Sequence, residues 1–146
     1  MNPVLQKYTS FVKLEHSLFS LPILFSGAFL AEKKWPSFRV MLLLILAGIS
    51  ARVVAMVLNR IFDWKIDQRN PRTQERHIPS GIIKHLEAWI IVALSLAIYV
   101  FSAWNISDFC LQLSWIPIVA FTGYPYLKRF TKWTHLFLGL VWSLVP

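Results

Sequence analysis

The chain is built from long apolar runs separated by short polar breaks, and within the runs the apolar positions are continuous rather than alternating or striped with a 3.6-residue period. A helix that crosses the hydrocarbon core of a bilayer needs roughly 20 mostly apolar residues. Four stretches approach or reach that length, at about 14–31, 38–60, 86–104 and 109–127. A fifth, 134–146, is too short to span and stops at Pro146. The pattern predicts an all-α membrane protein with four full transmembrane helices and a partial fifth, forming one transmembrane domain. The first run carries Pro22 and Gly27, which helices in lipid tolerate when neighbouring helices satisfy the freed backbone groups. No convincing small-residue cleavage site follows it, so it reads as a retained span and not as a signal peptide.

Composition strengthens this picture. Of 146 residues, 56% are hydrophobic and 15% charged, and the mean hydropathy of +0.54 is far above that of an ordinary soluble domain. The bilayer is therefore the expected partner. A net charge of +8 raises the question of nucleic acid, but the basic residues lie between apolar segments and form no continuous patch or helical stripe, so no nucleic-acid partner is expected. The single cysteine, Cys110, excludes an intrachain disulfide and any metal site built on several thiolates.

Lys and Arg accumulate in cytoplasmic loops. Alternating four spans places Lys7, Lys13, Arg60, Lys65, Arg69, Arg72, Arg76, Lys84, Lys128, Arg129 and Lys132 on one side, against Lys33, Lys34 and Arg39 on the other. The polar segment 59–85 accordingly faces the cytoplasm. Trp35, Trp64, Trp89, Trp104 and Trp133 lie near span ends, where an amphipathic ring favours the headgroup region.

The candidate chemistry lies between Asn59 and Gly81. If the second helix continues into this segment, Asn59, Asp63 and Asp67, spaced by four, share one slowly drifting face, together with Arg52 seven residues earlier. Two carboxylates one turn apart repel. A divalent cation reverses that penalty, and Mg2+ commonly binds through one or two carboxylates plus substrate phosphates. Arg60, Lys65, Arg69, Arg72 and Arg76 are suited to meet phosphate oxygens. From spacing alone a plainer reading is equally open: a positively charged cytoplasmic loop whose acids make surface ion pairs worth about 0–1 kcal/mol each. An EF-hand is excluded, since the acids are spaced by four and no central glycine follows. His16, His77, His85 and His135 are scattered with no metal-ligand spacing and read as packed or solvated residues.

The whole string resembles the UbiA-type polyprenyltransferase family, whose first aspartate motif runs N-x-x-x-D-x-x-x-D and continues into an arginine-threonine, arginine and proline-x-glycine stretch. Asn59, Asp63, Asp67, Arg72, Thr73, Arg76, Pro79 and Gly81 match it. Tyr124-Pro-Tyr-Leu-Lys128 is similar to the family's Y-x-x-x-K element. Glu15-His16, with Phe19, Leu21 and Pro22, is similar to the first helix of its 4-hydroxybenzoate branch.

The resemblance implies the first half of a nine-helix bundle in a bacterial inner membrane. It also implies transfer of a polyprenyl group from its diphosphate to an aromatic acid such as 4-hydroxybenzoate, in ubiquinone or menaquinone biosynthesis. Asp63, Asp67 and Asn59 would hold Mg2+, and Lys128, Arg72 and Arg76 would contact the diphosphate. Tyr124 would support Lys128 or the metal, with Asp63, Asp67 and Lys128 as the catalytic set. From its depth alone, about 10 Å below Asn59 at 1.5 Å per residue, Arg52 reads as meeting the acceptor carboxylate or the diphosphate, with snorkelling or a structural pair with another helix as the other readings. The family's second D-x-x-x-D motif, after its sixth helix, does not occur in this sequence, so the chain reads as an N-terminal half. Two other readings stand beside it: a truncated, catalytically inactive relative, or a small membrane subunit for lipid binding or transport. Self-association is left open.

Overall fold

The computed structural model describes residues 3–12 and 21–130, with Leu136 and Gly139 beyond them. Among these residues it is helical throughout, in the order α1 (Pro3–Val12), α2 (Leu21–Glu32), α3 (Phe38–Arg69), α4 (His85–Ile106), α5 (Asp108–Leu113) and α6 (Trp115–Phe130). Glu15, His16 and the run from 134 lie outside the described residues apart from those two positions.

The helix α3 organises the fold. Ser37 caps it, its hydroxyl accepting from the Val40 amide, and Trp35-Pro36 sets the break before it. Its 32 residues extend about 48 Å at 1.5 Å per residue, against a hydrocarbon core of about 30 Å. The surplus is the segment that holds Asn59, Asp63 and Asp67, so the first part of the expected 59–85 loop is a continuation of the span. Nothing before Pro71 breaks the helix. That proline disfavours helical backbone at Asn70, which is extended (φ −103°, ψ 117°).

One face of α3 carries Val53, Val54, Val57, Leu58 and Ile61, which form one buried cluster with Ala88 and Val92 of α4 and Phe11 of α1. Small residues let α4 come close: Ala88 and Ser102 have no exposed surface and Ala103 has 5%. Gly48 does the same for α2, since a Cβ there would stand 3.3 Å from a methyl of Leu24. α1 is amphipathic, with Phe11 fully buried while Gln6 and Ser10 are exposed. Lys7 and Tyr8 both reach the same oxygen of Glu87, at 3.2 and 3.4 Å, which ties α1 to the first turn of α4.

Two described helices, α3 and α4, are long and apolar enough to cross a membrane. Only 28% and 22% of their most apolar windows are buried. Leu42, Leu46, Ile90, Leu94, Phe101 and Trp104 stand exposed, an apolar surface that a water-soluble monomer rarely presents. The run expected at 109–127 is not one helix: it breaks at Ser114 into α5 and α6. Ser107 starts α5 by accepting from the Cys110 amide, and the Tyr99 hydroxyl donates to the Ser114 carbonyl at 3.2 Å, which ties α4 to the break. α6 then packs against α3 with Pro125 fully buried.

The segment after α3 folds back over the end of that helix. Ile78 (5% exposed) and Ile83 (1%) anchor it in the core, and the Ile83 amide donates to the His77 carbonyl at 2.9 Å. The chain reverses at Gly81 with φ +75°. A Cβ there would meet no atom within 4 Å, so Gly81→Ala carries the backbone cost alone. It should destabilise the fold by about 1–2 kcal/mol, measured by denaturation in detergent.

Candidate functional site

On α3, successive residues turn by about 100°, which puts Arg52, Asn59, Asp63 and Asp67 within about 80° of one another, on the side away from the valine stripe. A helix leaving the membrane would ordinarily show this face to water. Here Asp63 is 5% and Asp67 6% exposed. The folded-back segment accounts for Asp67, because Arg76 Nη1 donates to both of its carboxylate oxygens at 2.9 and 3.1 Å. The Thr73 hydroxyl and the Asn70 amide both donate to the Asp67 carbonyl, closing the helix end. The Asn70 side chain accepts from the Arg72 amide at 3.0 Å, a turn that holds Arg72 beside the helix terminus.

Arg76 also lines an open cavity of about 430 Å³, together with Ser10, Met56, Asn59, Arg60, Arg72, Glu75 and His77. Three guanidiniums and one carboxylate share its wall, an arrangement that favours an anion of high charge density. The structure therefore gathers Asn59, Arg72 and Arg76 at one cavity, ties the buried Asp67 to its wall through Arg76, and buries Asp63 one turn back on α3.

Arg52 is not part of that lining. It stands two turns deeper, and its Nε is buried with no hydrogen-bond partner among the described residues. Tyr124 and Lys128 share a face of α6 four residues apart, and the side chain of Lys128 lies outside the described set. The same stretch of α6 reaches the site region, since the Tyr126 ring is 5.1 Å from Phe62, the neighbour of Asp63.

Sequence reasoning missed α1 and His77. Ser10 and His77 are 67 positions apart, and no local pattern announces their contact at 3.0 Å. The amphipathic character of α1 was the available signal. Burial, then Arg60 and Lys7, lower the His77 pKa below the ordinary histidine value of 6.5. Because the unfolded imidazole binds protons more readily, the stability contributed by this group is present above that ordinary value and is lost as pH falls through the lowered one. A His77 imidazole titration by NMR should show its midpoint below 6.5.

The model of the UbiA prenyltransferase family matches residues 20–146. A 4-hydroxybenzoate octaprenyltransferase of Vibrio atlanticus is 36% identical over 115 residues, covering 78% of this chain and 40% of that protein. Another of the same name, from Shewanella frigidimarina, is 29% identical over 143 residues, covering 95% and 50%. The apo structure of a UbiA homolog from Aeropyrum pernix K1 superposes with a TM-score of 0.83 at 36% identity, over 90% of this chain and 48% of that one. The chain thus spans about half the length of the relatives it matches. With a family model that covers most of the chain and a fold shared at this identity, the chain belongs to the UbiA prenyltransferase family.

Proposed function

We propose that the chain forms the metal and diphosphate half of an intramembrane prenyltransferase, which moves a polyprenyl group from its diphosphate to an aromatic acid such as 4-hydroxybenzoate. The observation that carries this reading is the pair of buried carboxylates, Asp63 and Asp67, one turn apart on α3, with Asp67 held by Arg76, which lines a cavity together with Arg60, Arg72 and Asn59. The names of the relatives, and the exposed apolar surface of α3 and α4, support the same reading and a site at one face of a membrane.

The donor chemistry fits Mg2+. Asp63, Asp67 and Asn59 offer only hard oxygen ligands from one helix face, while no group of three or more His, Cys, Asp or Glu among the described residues could hold a metal alone. That suits a cation which keeps several waters and takes substrate phosphates as further ligands. When bound, Mg2+ would neutralise charge on the departing diphosphate.

The chain's own residues do the rest. Arg76 balances the buried charge of Asp67 and holds the folded-back segment in place. Arg72 and Arg60 offer guanidinium forks to phosphate oxygens from the cavity wall, and by the family resemblance Lys128, on α6, would be a further phosphate contact. Such preorganised positive charge stabilises the leaving group as the prenyl carbon gains cationic character. Arg52, whose buried Nε has no described partner, would meet the acceptor carboxylate or the diphosphate.

The direct test is calorimetric titration of inorganic pyrophosphate, with excess magnesium, into the chain in lipid nanodiscs. Binding that needs magnesium and is lost in Asp63→Ala supports the reading. Binding unaffected by Asp63→Ala or by chelation would assign the basic cavity to anionic lipid headgroups instead. Absence of magnesium-dependent prenyl transfer by the intact enzyme would remove the activity itself.

A further inference from the structure

The two ring nitrogens of His77 face different helices. Nδ1 lies 3.4 Å from Nη1 of Arg60 on α3, and Nε2 lies 3.0 Å from the Ser10 hydroxyl on α1. A guanidinium has donors only, so Nδ1 must accept and the imidazole proton belongs on Nε2. The other end of the ring gives the same answer independently. The Ser10 hydroxyl donates to the Lys7 carbonyl at 3.0 Å, which leaves its oxygen free to accept from Nε2–H. One directed chain of hydrogen bonds therefore runs from Arg60 through His77 and Ser10 to the backbone of α1.

The same guanidinium has a second constraint. Its central carbon sits 5.0 Å from the centre of the Phe11 ring, which is fully buried and itself 5.6 Å from the His77 ring. An exposed arginine samples many rotamers and loses that freedom on binding. Arg60 is held in advance, with its head on the cavity wall beside Arg72 and Arg76.

We infer that His77 is a positioning residue: in its neutral Nε2–H form, together with Ser10 and Phe11 of α1, it fixes Arg60 as a further diphosphate-binding guanidinium. The inference rests on the diphosphate reading for its ligand, and on geometry alone for its mechanism. It also gives α1 a role in the site. The charged groups acting on the ring are Arg60 from α3 and Lys7 from α1, the latter paired with Glu87 of α4, while Arg72, Glu75 and Arg76 of the folded-back segment line the same cavity and Arg76 and Asp67 act on Arg60.

Two measurements decide it. The first is the tautomer of His77, read from 15N chemical shifts of the labelled chain in nanodiscs above the titration of the ring. Nε2–H is expected, and a dominant Nδ1–H form overturns the proposal whether or not any ligand binds. The second is affinity for inorganic pyrophosphate with excess magnesium. Asn at position 77 keeps an acceptor near Nδ1, whereas Gln reaches towards Ser10 and leaves Arg60 without its partner. His77→Gln and Arg60→Met should each weaken binding about tenfold, the scale of one lost charge-assisted hydrogen bond. Their combination should be no worse than about twofold beyond either alone, because both remove one interaction. His77→Asn should stay within about threefold of the parent. Additive losses, or His77→Gln binding like the parent while Arg60→Met does not, would overturn the positioning role. Should the parent chain bind no pyrophosphate while the ring is in the Nε2–H form, the diphosphate reading of the cavity fails and the positioning of Arg60 stands.

Discussion

Asp67→Ala should abolish magnesium-dependent pyrophosphate binding and, in the intact enzyme, lower prenyl transfer by at least about 100-fold. The size follows from what the carboxylate does. It is 6% exposed and accepts both oxygens' bonds from one nitrogen of Arg76, so its removal takes away a proposed metal ligand and also leaves a guanidinium beside the cavity without its counter-charge. Breaking a buried pair from one side typically costs about 3–5 kcal/mol, and the 43% exposure of Arg76 brings the structural part well below that. Asp67→Asn separates the two effects. It keeps one acceptor for Arg76 and should preserve the fold of 70–84 while still losing the metal-dependent binding. Hydrogen exchange over 70–84 checks the first point and calorimetry the second. A variant that binds magnesium pyrophosphate like the parent would remove Asp67 from the site.

The second large effect is expected at a residue that touches no ligand. Phe11→Ala deletes a fully buried ring that α1 inserts between α3 and the folded-back segment, where it meets both Arg60 and His77. Substitutions of this kind in packed cores cost about 3–5 kcal/mol. Against that loss, the remaining ties of α1 are weak, since the Lys7–Glu87 pair is about one-third exposed on both sides. The helix should therefore release while α3 and α4 stay paired. Protease sensitivity confined to the N-terminal segment, with helix content by circular dichroism falling by no more than the 10 residues of α1, is the expected result. Pyrophosphate affinity should fall with it, by an amount similar to His77→Gln, because both changes free Arg60.

Much of this molecule was legible in the sequence for a simple reason: helix and membrane place local, periodic demands on residues. A helix needs continuous apolar length to cross the bilayer, and that length marked α3 and α4 with ends within a few residues, save that α3 runs on to Arg69. The N-x-x-x-D-x-x-x-D spacing placed Asn59, Asp63 and Asp67 on one face once the helix was taken to continue, which it does. The break at Ser114 was not legible. Composition is apolar on both sides of it, and the break is supported by a hydrogen bond from Tyr99, on another helix. His77 looked like any scattered histidine because its partners lie at positions 10 and 60.

What the sequence determined by itself was the helical class, the apolar segments, the family and the register of the aspartates, since each depends on residues a few positions apart. Only the tertiary structure decided that the polar face of α3 is covered rather than wet, that Arg76 turns back onto Asp67, and that α1 returns to wall the cavity. The return of α1 rests on contacts between residues 67 to 80 positions apart, such as Ser10 with His77 and Lys7 with Glu87, and the Arg76–Asp67 pair closes across the break at Pro71. Such pairings follow from burial and charge balance in three dimensions, which no local period encodes.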